Sequence, residues 1–121
     1  LLKQLSTSKV DIIITSDHGT MNVNDPSKVI GEKTMSSNLR YKTGRKIKFD
    51  NRDVFYVEDP EKIYLPKTNV SSSYIFASPN KYFVYPNNYN HYAHHYINTY
   101  QHGGISMEEM ILPIISLKSK L

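Results

Sequence analysis

The sequence predicts an α/β fold with a buried strand, a β-hairpin and short helices. Three observations predict it: a β-branched apolar run at residues 10–15, two aromatic-rich runs on either side of Pro79, and tyrosines at helical spacing from Tyr89 to Tyr100. Across 121 residues, the shares of hydrophobic residues (39%) and charged residues (21%) are typical of a globular protein with one core of moderate size.

The first part of the chain contains a helix end, a strand and a long loop. Residues 1–5 have the spacing of the last turn of an amphipathic helix, and because the chain does not begin with Met we expect residues 1–121 to be part of a larger domain. Residues 10–15 are a β-branched run with apolar residues at consecutive positions, as in a strand covered on both faces within a parallel sheet. Residues 21–51 are rich in Ser, Thr, Asn, Gly and Pro, which predicts a loop.

The middle of the chain predicts strands. Residues 54–57 form a short β-branched and aromatic run that ends before Asp59-Pro60. Residues 74–77 and 81–85 have the same character and flank a Ser-Pro-Asn turn, so we expect them to pair as a β-hairpin.

Two helices and a last strand are predicted after the hairpin. Residues 88–99 carry tyrosines every three or four positions, which predicts a helix that packs its tyrosines on the core and directs its histidines to solvent. Ser106 and Glu109 form a capping-box pattern at the start of a second helix, which Pro113 limits to one or two turns. Residues 114–117 suit a final strand. The solvent-facing histidines are His91, His94 and His95.

Composition excludes several kinds of site. The chain has no cysteine, which excludes a disulfide, a thiol nucleophile and a cysteine-ligated metal, so any metal must be held by His, Asp or Glu. We find no apolar run long enough to span a membrane and no signal-peptide pattern, so we expect a cytoplasmic protein without a membrane partner. The net charge of +4 permits an anionic partner.

Much of the positive charge lies in residues 40–52, a stretch that contains a single acidic residue, Asp50. Two interpretations are open: a solvated loop, or a loop that contacts phosphate groups through Arg40 or its neighbours. The basic residues of this stretch are Arg40, Lys42, Arg45, Lys46, Lys48 and Arg52.

Candidate metal ligands follow the first strand. In open α/β sheets, ligands bind beyond the carboxyl ends of strands, where Asp17 and His18 stand, and Gly19 gives the chain freedom to bend there. Carboxylate and imidazole groups are ligands that zinc prefers. His102 precedes two glycines and the predicted helix start, where an anion would be favoured. The alternative is structural: Asp17 caps the turn, and both histidines are ordinary polar residues.

Five segments stand out together: Thr15–Gly19, Asn38–Tyr41, Asn69–Ser72, Tyr85–Tyr89, and Gln101–Met110 followed by Pro113. They resemble the C-terminal part of a PglZ domain of the alkaline phosphatase superfamily, and most closely the PglZ domain of PorX-type response regulators. The resemblance spans nearly the whole of residues 1–121. It implies a domain with two zinc ions, in which Asp17 and His18 hold one ion and His102 helps to hold the other.

The resemblance implies a zinc-dependent phosphodiesterase or phosphatase-like enzyme that acts on a nucleotide or oligonucleotide phosphodiester. Arg40 is the candidate for a forked contact to the substrate phosphate. In the family the nucleophile and the remaining metal ligands come from upstream segments, so no catalytic residue is assigned here and we expect residues 1–121 alone to be inactive. The implied partners are an upstream receiver domain and linker.

Two further expectations concern association. Exposed sheet edges favour pairing with other chains, so we expect the chain to form homo-oligomers. The alternative to an enzyme is a non-catalytic docking or nucleic-acid-binding module, which would use the basic residues 40–52 to contact phosphates electrostatically.

Overall fold

The computed structural model describes residues 1–32 and 35–119, which form short strands and a few short helices. The strands in chain order are β1 (Ile12–Thr15), β2 (Met21–Val23), β3 (Asp25–Lys28), β4 (Tyr41–Gly44), β5 (Val54–Val57), β6 (Ser73–Ala77), β7 (Lys81–Val84), β8 (Thr99–Gln101) and β9 (Ile114–Leu117). The helices are α1 (Leu2–Leu5), α2 (Tyr89–Tyr96) and α3 (Met107–Met110), with single 3-10 turns at Asn51–Asp53 and Pro60–Ile63. The predicted α/β class is confirmed.

The core lies around a three-stranded antiparallel sheet with β6 at its centre. β4 pairs with one edge of β6 and β5 with the other, and every residue of β6 is buried. Outside this sheet, β3 pairs with β7 in parallel, while β2 pairs with β8 and β1 with β9 in antiparallel ladders. The core cluster that joins β6 to β7 contains Val29, Met35, Ile75, Ala77 and Phe83.

The predicted β-hairpin is wrong, although both of its strands form. β6 and β7 are joined by a turn in which the Lys81 N–H donates to the Ser78 carbonyl oxygen at 3.1 Å, but the two strands belong to different sheets. A strand has two edges for hydrogen bonding, and both edges of β6 are already paired, with β4 and with β5. β7 therefore pairs with β3 instead.

β1 forms at the predicted place, but the prediction that it is buried on both faces of a parallel sheet is wrong. It pairs antiparallel with β9, and the two strands keep apolar side chains at the surface: Ile13 is 70% exposed and Ile114 is 75% exposed. Consecutive apolar residues are compatible with burial on both faces. Whether the two faces are in fact buried depends on other elements that pack against the strand.

The predicted loop at residues 21–51 contains three strands, so that prediction is wrong in part. β2, β3 and β4 pair with β8, β7 and β6, which all lie far away in the sequence. Such short polar strands are stabilised by their partners rather than by local propensity. Pro26 is accommodated within β3 because β3 is an edge strand. On the unpaired edge of such a strand no backbone N–H is needed for a hydrogen bond to a neighbouring strand.

The predicted helix at residues 88–99 forms as α2, which ends earlier, at Tyr96. Beyond α2 the chain turns into β8, and the Asn98 N–H donates to the Val23 carbonyl oxygen at 2.7 Å. Tyr89 and Tyr96 pack against buried residues of β2 and β7, which confirms the predicted packing of part of the tyrosine face. The exposed aromatic side chains of this region are Tyr92 and Tyr100, together with the predicted His91, His94 and His95.

The remaining elements agree with the sequence. β5 and β9 occupy the predicted residues 54–57 and 114–117, and α3 begins after Ser106 and ends before Pro113. The Ser106 N–H donates to the Glu109 carboxylate at 3.1 Å, which is half of the expected capping box. No helix within the described ranges has the length and hydropathy needed to cross a bilayer.

Lys42 in β4 has an unusual environment for a cation. Its side chain is buried, and burial lowers its pKa from 10.5 to about 8. The unfolded chain therefore binds this proton more tightly, so between the two pKa values the unfolded state carries more protons and the free energy of unfolding rises with pH. We expect a rise of about 2 kcal/mol between roughly pH 7 and pH 9.5, and no such rise in Lys42→Met.

Urea denaturation of the two proteins at both pH values measures this difference. The comparison stays below pH 10, because burial raises the pKa of Tyr82, Tyr85 and Tyr89. At higher pH these tyrosines lose their protons first in the unfolded chain, which lowers the free energy of unfolding. An equal pH dependence in the wild type and in Lys42→Met would show that Lys42 is ordinarily solvated.

Candidate metal centre

The ends of two strands bring together two of the predicted ligands. His18 lies in the turn between β1 and β2, and His102 directly follows β8. Because β2 and β8 are antiparallel, with Met21 opposite Gln101, the residues before β2 and after β8 fall at the same end of the ladder. The two imidazole rings stack there, with centroids 3.9 Å apart and planes at 12°.

Asp17 and His18 form the accessible edge of this site. His18 Nδ1 lies 2.9 Å from the Gly19 carbonyl oxygen. Since a carbonyl only accepts, this contact assigns the proton of the neutral ring to Nδ1 and leaves the Nε2 lone pair available. Nε2 lies 3.6 Å from Asp17 Oδ1, and the side chains of Asp17 and His18 are 87% and 41% exposed, so a ligand can reach both from solvent.

α3 holds the turn that carries Asp17 and His18. The Gly19 N–H donates to the Glu109 carbonyl oxygen at 3.0 Å. A Cβ atom at position 19 would lie 1.9 Å from the Glu108 carbonyl oxygen, so only glycine permits this close approach. The turn is anchored to the backbone of α3.

Asn38 anchors the segment that carries His102. Its Nδ2 donates to the His102 carbonyl oxygen at 3.1 Å, while its Oδ1 accepts from the backbone N–H groups of Arg40 at 2.7 Å and Tyr41 at 3.1 Å. The sequence alone does not predict this anchoring role of Asn38. An Asn whose side chain can bond the backbone two residues later is the one sequence signal that could have found it. Gly103, at φ +98°, makes the reversal after His102.

Glu109 connects the two anchors through a buried ion pair. Arg40 Nε and Nη2 donate to its two carboxylate oxygens at 2.9 and 3.0 Å. The same carboxylate accepts from the backbone N–H groups of Gly104 at 2.9 Å and Ser106 at 3.1 Å. Burial disfavours the ionised form of Glu109, but these hydrogen bonds outweigh it, and the pKa of the carboxyl lies below its usual value. One charged pair thus fixes the loop after His102.

A family profile described as the BREX system PglZ alkaline phosphatase-like domain matches residues 1–117. The chain belongs to the PglZ family. Comparison with curated proteins yields no match. Family membership confirms the predicted PglZ and alkaline phosphatase-like character, and it places the chain in a phosphatase-like superfamily of hydrolases. Closeness to PorX-type response regulators stays a prediction.

The donor types at this PglZ site suit zinc, but the described residues do not form a complete metal site. One carboxylate and two imidazoles are accepted zinc ligands. Within residues 1–32 and 35–119, however, no three His, Asp or Glu side chains have the arrangement that holds a metal ion. The structure brings His18 and His102 together and leaves Asp17 at the exposed edge. Two four-coordinate ions need more ligands than these three.

Arg40 lies behind the site, which corrects its interpretation as a phosphate-binding residue. No part of its side chain reaches solvent, and its guanidinium donates to Glu109 and to the carbonyl oxygens of Ser78 and Lys81. Because the guanidinium is fully buried, none of its donors is accessible to a substrate in this PglZ chain. Its basic sequence neighbours gave no sign of a carboxylate partner 69 positions away.

The basic residues 40–52 do not form one surface patch. Two of the cations are buried and two are paired with acids, so the charge left for electrostatic contact with nucleic acid is much smaller than the sequence suggests. The exposed lysines are Lys46 and Lys48. The buried cations are Arg40 and Lys42, and the pairs are Arg45 with Glu32 at 3.3 Å and Arg52 with Asp50 at 2.7 Å.

Proposed function

We propose that this PglZ domain belongs to a zinc-dependent phosphohydrolase that cleaves a phosphodiester, and that Asp17, His18 and His102 are metal ligands. The observation that supports it is the stacked contact between His18 and His102, held at one end of the β2–β8 ladder in a chain of the alkaline phosphatase-like superfamily. Zinc, when bound, would polarise the phosphoryl group and stabilise the charge of the leaving oxygen.

The chain's own residues act as donors and supports in this proposal. His18 offers Nε2, since its Nδ1 proton is held by the Gly19 carbonyl oxygen. The Asp17 carboxylate lies beside that nitrogen and balances positive charge. Asn38 and Glu109 hold the backbone around both histidines, which keeps the donors at a defined separation, as outer partners of metal sites do.

Based on the resemblance to PglZ domains of PorX-type response regulators, the proposal also covers the substrate and the neighbouring domain. A nucleotide or oligonucleotide phosphodiester is the substrate, and a receiver domain with a helical linker precedes the PglZ domain, as in PorX-type response regulators. In the full-length protein with zinc, we expect bis(p-nitrophenyl) phosphate and a dinucleotide to be hydrolysed faster than p-nitrophenyl phosphate. Activity on the monoester alone would contradict the phosphodiester assignment.

Zinc titration by calorimetry tests the ligand assignment. We expect His18→Ala and His102→Ala each to weaken zinc binding at least about ten-fold, since each removes one of few donors. His91→Ala is the matched control, because His91 is exposed on α2, and it should bind zinc like the wild type. Absence of zinc uptake by the wild type, or an equal loss in His91→Ala, would refute the proposed ligands.

A further inference from the structure

A recess between β7, α2 and the segment before β4 contains a buried cation. Its volume is about 160 Å³. A cavity of roughly 150 Å³ lined by apolar side chains is large enough to hold benzene, so the recess has room for one six-membered ring. The side chains that matter here are Leu39, Lys42, Tyr85, Tyr92 and Tyr96.

Lys42 is the charged group of this recess. One of its N–H groups donates to the Ser36 carbonyl oxygen at 2.8 Å, and Nζ lies 4.6 Å from the centroid of the Tyr85 ring. A carbonyl oxygen and an aromatic ring offer only partial negative charge. Among the described residues no carboxylate pairs with Lys42, whereas Arg40, two residues earlier in the chain, has Glu109.

A buried cation without a counter-ion is unfavourable, and an anion that enters beside it removes much of that penalty. Attraction between the two charges is strong there because little water screens it. The tyrosine rings suit a flat apolar body, and a single ammonium suits a single carboxylate. Tyr92 is 42% exposed, and it also lines a wider neighbouring recess of about 680 Å³.

We propose that this recess is a binding site for a small monocarboxylate with a flat apolar body, with Lys42 as the counter-ion. Benzoate represents this class: its ring fits among Tyr85, Tyr92 and Tyr96, and its carboxylate meets the ammonium. The site is separate from the His18–His102 centre, which lies in the turns before β2 and after β8. Its occupancy therefore needs no zinc.

The test compares benzoate with benzamide, a neutral ligand of the same shape. Titrations are followed by tyrosine fluorescence in buffer with EDTA, which keeps the metal centre empty. We expect the wild type to bind benzoate at least ten-fold more tightly than benzamide, and Lys42→Met to lose that preference. Lys46→Met, which removes an exposed lysine nearby in the sequence, should keep it. Equal affinities in the wild type, or a preference retained by Lys42→Met, would overturn the proposal.

A measurement on the wild type alone keeps the proposal testable if Lys42→Met folds poorly. Carbon-13 labelling of the lysine side chains lets NMR follow the titration of Lys42 itself. Saturating benzoate should raise the pKa of Lys42, because the bound carboxylate stabilises the ammonium, and benzamide should leave it unchanged. An identical Lys42 titration with and without benzoate would rule out direct pairing.

Discussion

Replacing Arg40 by Met is expected to lower the free energy of unfolding by about 3–5 kcal/mol. The substitution leaves the Glu109 carboxylate buried without its two strongest donors, and it also leaves the carbonyl oxygens of Ser78 and Lys81 without theirs. The neutral side chain fills a similar volume, so the loss reports the missing charge rather than a cavity. Urea denaturation at pH 7 measures it.

Arg45→Met is the matched control for this prediction. Arg45 also pairs with a glutamate, Glu32, but both side chains of that pair are partly exposed. Exposed ion pairs contribute little, so we expect a change below about 1 kcal/mol. If Arg40→Met lowered the free energy of unfolding as little as Arg45→Met, the buried Arg40–Glu109 pair would not be a main support of the site.

Gly19→Ala is expected to lower the free energy of unfolding by about 2–3 kcal/mol and to weaken zinc binding at least about ten-fold. The added Cβ would lie 1.9 Å from the Glu108 carbonyl oxygen, which belongs to backbone and cannot rotate away as a side chain can. The turn must therefore leave α3 and lose the hydrogen bond from the Gly19 N–H. His18 then moves with the turn.

Gly44→Ala is the control for this second prediction. A Cβ at position 44 meets only the Met35 side chain, with Cγ at 3.0 Å, and a methionine side chain can adjust. We expect a change in stability of less than about 1 kcal/mol and unchanged zinc binding. Denaturation combined with calorimetric zinc titration separates the two variants, and wild-type zinc affinity in Gly19→Ala would show that the turn is not part of the proposed zinc site.

Elements with a strong local pattern were predictable from the sequence. β5 and β9 lie at the expected residues, and α3 begins directly after its capping residue and stops before Pro113, because propensity, capping and proline chemistry act over a few residues. Strand pairing was not predictable in the same way. Two adjacent strands with a turn between them resemble a hairpin, yet β6 had both edges occupied by strands from elsewhere in the chain.

The same difference between local patterns and long-range contacts applies to the candidate site. Asp17, His18 and His102 could be predicted as candidate ligands from the sequence, because donor types and flanking glycines are visible in the residues themselves. The role of Arg40 was misjudged, since its neighbours in the sequence are basic and its partner Glu109 is remote. Asn38 was missed because its amide acts on the backbone of another segment.

By itself, the sequence determined the fold class, the resemblance to PglZ domains, the ends of several elements and the identity of the candidate metal ligands. These properties depend on side-chain chemistry and on neighbours within a few positions. Only the tertiary structure decided that His18 and His102 stack, that Arg40 is bound to Glu109, and that Lys42 is buried beside a recess. Each of these contacts joins segments far apart in the chain, and packing of the strands sets them.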